Sequence, residues 1–229
     1  MIFIGLIPAR SGSKGIKNKN LVSLSGRPLI DFTVKAAIES KKITTTYISS
    51  DSDEILSAAD SNEIKKIKRP ENFSNDAATA NDVIKHFISL NHFKNYDGIS
   101  MVYLQPTSPL RSVNHINEAI ELFEASDSRS LISIKPSSEL PYKAFQLKDN
   151  KLYPLFDEES LTANRQTLPK TFYPNGAIYI FELNAFIQNN FQIPVSDCVP
   201  FLMDQDESLD IDSHLDLSVA ETILRSKEL

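Results

Sequence analysis

A single cysteine, Cys198, excludes an internal disulfide and any cysteine-based metal cluster. The four histidines (His86, His92, His115, His214) are scattered without metal-ligand spacing. No apolar run approaches the roughly 20 residues of a membrane-spanning helix. The N-terminus lacks the basic start and small-residue cleavage site of a secretory signal. Positive charge is not in excess: 24 Lys and Arg against 30 Asp and Glu leave a net charge of −6, which argues against nucleic-acid binding. Glycine is sparse, six in 229 residues, and neither glycine-rich nucleotide fingerprint is present. Lys14 stands between Ser13 and Gly15, so the P-loop pattern fails, and no Gly-x-Gly-x-x-Gly occurs. What remains, 41% hydrophobic and 24% charged, is ordinary for a soluble globular chain of one large or two small domains. These absences together fit a cytoplasmic enzyme without membrane or nucleic-acid partners.

The most informative stretch is residues 7–20. It follows an apolar run, Ile2-Phe3-Ile4-Gly5-Leu6-Ile7, that reads as a buried strand. Arg10, Lys14, Lys17 and Lys19 then stand beside Gly12 and Gly15. Glycines turn the backbone tightly and expose N–H groups, and such a nest binds anions, phosphates above all. Cations at this density suit a triphosphate whose charge must be neutralised while it reacts. A solvated basic loop is the plainer alternative. Its position straight after a buried strand favours the phosphate.

Strand-like and helix-like segments alternate up to residue 136. Strands are expected at 45–49, 64–67, 99–104 and 131–134. Helical stripes run through Ile30 and Val34, Ile55 and Ala58, Val83 and Phe87, and Ile116 and Phe123, the last capped by Ser112. This alternation predicts an α/β fold with a mainly parallel sheet covered on both faces, and ligands beyond the carboxyl ends of the strands. The pattern breaks between 137 and 172, neither clean helix nor sheet strand, which reads as a lid or an arm packing on another subunit. A strand resumes at 175–181. A final helix carries Leu215, Val219 and Ile223, capped by Asp212 or Ser213.

A second cluster lies just before that helix. In extended chain, Asp210 and Asp212 point the same way. Two carboxylates on one face can hold Mg²⁺ together with substrate phosphates. Alternatively, Asp212 caps the helix and Asp210 is merely solvated.

Taken together, these residues resemble the CMP-sugar synthetases of nonulosonic acids, the N-acylneuraminate (sialic acid) cytidylyltransferases and their legionaminic acid relatives. The likeness runs nearly end to end. Its markers are Ile7-Pro8-Ala9-Arg10 with Ser13-Lys14-Gly15, Lys19-Asn20-Leu21, Arg69-Pro70, Asp76 with Thr79, residues 104–111 (LQPTSPLR), Arg165-Gln166, Leu168-Pro169, residues 174–180 (PNGAIYI) and Asp210-Ile211-Asp212. The resemblance implies a Rossmann-like nucleotidyltransferase fold, with residues 1–136 and 173–229 forming the nucleotidyltransferase domain and 137–172 a small dimerisation arm. It implies that CTP and a nine-carbon 2-keto sugar acid give CMP-sugar and pyrophosphate. Arg10, Gly12, Ser13, Lys14 and Lys19 match the triphosphate loop, and Asn20, Arg69, Asp76 and Thr79 the nucleoside positions. Asp210 and Asp212 match the ligands of Mg²⁺ (or Mn²⁺), and Arg10, Lys19, Asp210 and Asp212 are the expected catalytic set. A carboxylate or a metal-associated water takes the attacking proton, and the sequence does not choose between them. Gln105, Asn175 and Tyr179 match the sugar pocket. Lys143 and Arg165 lie in the arm, which in that family reaches into the partner's site of a homodimer. Arg111 serves the site or braces its loop through a salt bridge. Phe172, Tyr173 and Phe186 hint at a more apolar sugar pocket. The rival readings are a CMP-pseudaminic acid synthetase and a non-catalytic nucleotide-binding relative.

Overall fold

The computed structural model describes residues 1–227 apart from Lys14, Asp60, Asn91, His92 and Lys94. The strands, in chain order, are β1 (Ile2–Pro8), a short hairpin β2 (Ser23–Leu24) and β3 (Arg27–Pro28), β4 (Thr45–Ser50), β5 (Ile64–Lys68), β6 (Ile99–Tyr103), β7 (Ser130–Pro136), a second hairpin β8 (Phe145–Lys148) and β9 (Lys151–Pro154), β10 (Phe172–Glu182) and β11 (Cys198–Leu202). The helices are α1 (Leu29–Glu39), α2 (Asp53–Ala58), α3 (Ala80–Ser89), α4 (Val113–Ala125), α5 (Glu158–Thr162), α6 (Leu183–Gln188) and α7 (His214–Lys227).

Seven strands form one sheet in the order β11-β7-β10-β6-β1-β4-β5. Parallel pairs join β1 to β4 and β6, β4 to β5, and β7 to β11. Only β10 runs against its neighbours. The central strands are apolar on both faces because both are covered. Ile7, Ile48 and Val102 pack with α1, α2 and α4, while Leu6, Met101 and Tyr103 pack with α3 and α6. From β1 the chain steps outward to β4 and β5, then returns to β6 on the other side of β1. The crevice beyond the carboxyl ends of β1 and β6 is therefore the switch point where such sheets bind ligands.

Several local features follow directly from the sequence. Ser112 caps α4 as expected, and Thr79 caps α3 in a capping box with Asp82. At α7 the cap is Ser213, not Asp212: the Ser213 hydroxyl accepts from Asp216 N, and the Asp216 carboxylate accepts from Ser213 N at 2.7 Å. Other elements escape the sequence pattern. β11 contains Pro200, which an edge strand tolerates because one side of its backbone needs no ladder bond. Residues 137–171 leave the main sheet and hold a hairpin and a short helix where no regular element is expected. Phe145, Leu147, Leu152 and Tyr153 on that hairpin are all exposed. No helix among the described residues is long and apolar enough to cross a membrane.

One buried side chain ties the sheet's upper edge together. Arg111 is 2% exposed. It donates to the carbonyls of Gln105 and Ala177 at 3.0 and 2.8 Å and to the Thr33 hydroxyl at 2.5 Å. The brace expected of this residue thus exists, but through carbonyls and a hydroxyl rather than a salt bridge. Burial pulls its pKa below the usual arginine value. Arg111→Ala would remove three hydrogen bonds from a charged donor, each worth about 1.5–3 kcal/mol, and leave the Gln105 carbonyl only its longer bonds from Ser108 N and the Thr33 hydroxyl. The variant is expected to lose at least about 3 kcal/mol in urea denaturation, and a loss under 1 kcal/mol would show that the clasp is dispensable.

Candidate active site

A cleft of about 370 Å³ opens at the switch point. Of the residues singled out in the sequence, Arg10, Ser13, Lys19, Asn20, Arg69, Thr79, Gln105 and Asp212 line it. Gly15 lines it too. Gly12 is exposed nearby with open space around its α-carbon. Lys14 lies outside the described residues.

The base of the cleft is built from the ends of β1, β4 and β5. Asn20 is buried, and its amide donates to the Arg10 carbonyl at 2.8 Å, fixing the turn after β1. Asp51 holds the same turn by accepting from Ser11 N at 2.9 Å and from its hydroxyl at 2.5 Å. Burial would raise the Asp51 pKa, but these bonds and the Arg69 charge outweigh it and hold the carboxyl below its ordinary value. Arg69 is 3% exposed, and its Nε donates to Ser74 Oγ at 2.9 Å. Its Nη1 is buried without a hydrogen-bond partner. Burial lowers its pKa, and nearby Tyr103 and Asp51 oppose the shift. A buried guanidinium donor on a cleft wall suits a ligand oxygen.

Two ion pairs cross the cleft's mouth. Arg10 bonds Asp76 at 3.0 Å and the Asn75 carbonyl at 3.1 Å. Lys19 bonds Asp212 at 2.9 Å and the Ile211 carbonyl at 2.7 Å. The basic loop and the acidic turn, almost 200 residues apart in sequence, therefore meet directly. A small core including Ile16, Leu24, Ile211 and Leu217 holds them together. Gly15 packs so closely that an added Cβ would lie 2.1 Å from the Asp212 carbonyl oxygen.

Asp210 and Asp212 occupy different environments. Asp212 is exposed, whereas Asp210 is half-buried. Burial raises the Asp210 pKa, a hydrogen bond from Thr107 lowers it, Asp212 raises it, and Lys19 and Lys135 lower it. Its Oδ1 is buried without a hydrogen-bond partner. Among the described residues no group of three or more His, Cys, Asp or Glu stands together. Two carboxylates, one with an orphaned oxygen, fit a hard cation whose remaining ligands are substrate and water oxygens.

Other expected site residues are placed differently. Asn175 does not line the cleft. It is 3% exposed, accepting from Ser133 Oγ and Ala177 N and donating to Ser208 Oγ at 2.9 Å. A register shift in β10 between Pro174 and Tyr179 accompanies that position. Lys143 is committed inside the arm, donating to the carbonyls of Leu161 and Ala163 at 2.9 and 2.6 Å. Arg165 is exposed at the arm's base, away from the cleft of its own chain. Phe186 is core, packed on Phe181 at 5.2 Å, while Phe172 and Tyr173 are exposed. Tyr179 stands beside the cleft, its hydroxyl pushed up by burial and by the Asp210 charge. The Thr79 hydroxyl is engaged with Asp82 at 2.7 Å. Thr107, which bonds Asp210 and accepts Ile211 N at 2.8 Å, was not singled out, although it lies in the marked 104–111 run.

The glycines give a clean test. Gly15→Ala is expected to cut the turnover of the chain's reaction at least about 100-fold by displacing the acidic turn, the scale of losing one placed electrostatic group. Gly12→Ala should stay within about threefold. Equal effects would mean that the Gly15–Asp212 contact does not set the site.

The Cytidylyltransferase family model matches residues 4–222. The N-acylneuraminate cytidylyltransferase of Escherichia coli O18:K1:H7 is 32% identical over 98% of the chain and 52% of its own length. The chain thus spans about half the length of that relative and of the Streptococcus agalactiae N-acylneuraminate cytidylyltransferases it matches. The CMP-N,N'-diacetyllegionaminic acid synthase of Legionella pneumophila is 32% identical over 98% of the chain and 97% of its own length. The pseudaminic acid cytidylyltransferase of Campylobacter jejuni is 29% identical, with 96% and 95% covered. A solved CMP:2-keto-3-deoxy-manno-octonic acid synthetase complexed with CTP superposes with a TM-score of 0.70 over 100% of both chains, and at 15% identity it shares the fold. With a family match that takes in every strand of the sheet and both loops of the cleft, this chain belongs to the cytidylyltransferase family.

Proposed function

We propose that this chain transfers the CMP group of CTP to a nine-carbon 2-keto sugar acid of the sialic or legionaminic type, releasing pyrophosphate. The meeting of the cation-rich turn after β1 with the Asp210–Asp212 turn carries this reading. The named activities of the relatives support it.

In the reaction, the anomeric hydroxyl attacks the α-phosphorus in line and pyrophosphate leaves. Charge builds on the phosphoryl and leaving oxygens, so preorganised cations dominate catalysis. Arg10 and Lys19 exchange Asp76 and Asp212 for triphosphate oxygens. Ser13 and Gly15 line the same pocket. Asn20 orients the turn, and the buried Arg69 donor faces the nucleoside. Asp210 and Asp212 would hold a divalent cation, Mg²⁺ or Mn²⁺, which would supply Lewis-acid neutralisation of the phosphate charge. Gln105 and Tyr179 border the sugar half. The enzyme works in the cytoplasm, beside its CTP supply.

Residues 137–172 form a dimerisation arm on the body made of 1–136 and 173–229. The exposed Phe145, Leu147, Leu152, Tyr153, Leu155 and Phe156 form an apolar surface suited to a second copy of the chain. Arg165, remote from its own cleft, then serves the partner's site, where its guanidinium grips the substrate carboxylate.

Pyrophosphate release from CTP, measured over sialic, legionaminic and pseudaminic acids, tests the reaction. Turnover is expected with one of the first two. It should vanish in excess chelator and fall at least about 100-fold in Asp210→Ala and Asp212→Ala with the fold intact by circular dichroism. Full activity in chelator would overturn the metal assignment, and inactivity on every sugar the whole reading.

The arm is tested by mixing Lys19→Ala and Arg165→Ala subunits. Arms that cross give each mixed dimer one intact site. Random association should then restore roughly a quarter of the wild-type rate. No recovery, with mixed dimers demonstrated, would place Arg165 outside the partner's site.

A further inference from the structure

Lys135 stands outside every motif named in the sequence. It lies near the carboxyl end of β7, directly across from Tyr173 of β10, so both side chains share one face of the sheet. Its Nζ donates to the Ser208 carbonyl at 3.3 Å, a long bond two residues before Asp210. Its charge acts on Asp210 together with that of Lys19. Both lysines thus act on this one carboxylate. Lys19 lines the cleft, whereas Lys135 comes from β7, two strands from β6, and does not line it. If CTP fills the cleft, an acceptor that meets Asp210 from outside the cleft comes within reach of Lys135.

The acceptor's chemistry fixes where its negative charge goes. In the cyclic form of a 2-keto sugar acid, the attacking hydroxyl and the carboxylate sit on the same carbon. When that hydroxyl approaches the α-phosphorus beside Asp210, the carboxylate is held close to the same turn. Lys143, a cation of the arm, is committed to two carbonyls of the arm. We propose that Lys135 binds the acceptor's carboxylate within the protomer that supplies Asp210, exchanging its long bond to Ser208 for a charge-assisted one. This rests on the transfer reaction proposed above. It makes Lys135 a substrate-binding residue that acts in cis, whatever Arg165 does across an interface.

Steady-state kinetics of Lys135→Met and Lys135→Arg test it. Losing one charge-assisted hydrogen bond should raise the KM for the sugar acid by about 10-fold or more in Lys135→Met. The KM for CTP and the half-saturating metal concentration should stay within about twofold, and Lys135→Arg should recover most of the loss. The wild type should also prefer the free acid over its methyl ester, and Lys135→Met should lose most of that preference. An unchanged sugar KM, or a shift in metal dependence alone, would overturn the proposal and leave Lys135 as a counter-charge to Asp210. An active wild type with an unaffected variant sinks only Lys135. A wild type that releases no pyrophosphate with any sugar acid sinks the transfer reaction and this inference with it.

Discussion

The site depends on one buried cation that never touches it. Arg111 fastens the loop after β6 through Gln105, the irregular part of β10 through Ala177, and the start of α1 through Thr33. Two carbonyls and a hydroxyl match its Nη donors without a second charge, while its Nε stays buried without a hydrogen-bond partner. Once the loop after β6 is fixed, its neighbours have little freedom. Gly176 adopts φ +79° there, and any Cβ would come within 2.8 Å of the Gln105 side chain. Thr107 takes the Ile211 amide, so the acidic turn hangs on the same loop. The position of Asp210 is thus inherited from Arg111 through two hydrogen-bonded steps.

The cations and carboxylates of the cleft are paired with one another, and the pairing is weak by design of exposure. The side chain of Arg10 is 34% exposed and that of Asp76 58%, while in the second pair Asp212 is 78% exposed and Lys19 only 13%. The Arg10–Asp76 pair, this open to water, contributes at most about 1 kcal/mol, and an anionic ligand would displace it at little cost. The geometry does not rely on them. Ile16 against Ile211, and Gly15 against the Asp212 backbone, hold the two turns in register through apolar packing and close contact. Packing positions the charges, and the charges remain available.

Sequence revealed most of the frame and part of the site. Buried strands such as β1, β4 and β6 announce themselves as apolar runs ended by polar turns, and the residues of those turns do converge. What it could not reveal is direction. Asn175 has the chemistry of a ligand-binding amide, but a shift of register in β10 turns it into the core, where Ser133, Ala177 and Ser208 use its groups. Lys143 is a free cation in sequence and a clamp on two carbonyls in space. Phe186 suited a pocket wall by type and is core by position. β8 and β9 escaped because their apolar residues face no core of their own chain, so no alternation with a buried side marks them.

The arm is less loose than its sequence suggests. Lys143 binds the last carbonyls of α5, where a cation also complements the helix dipole. Tyr142 packs on Phe156 at 5.0 Å, joining the turn before the hairpin to the segment after it. The arm is therefore braced within itself, and both of its ends run into main-sheet strands, β7 at Pro136 and β10 at Phe172, which pair with each other at that point. The next pair inward is Lys135 with Tyr173, and Lys135 reaches the turn that carries Asp210. The ends of the arm and the turn that carries Asp210 are thus joined through one strand pair, β7 with β10.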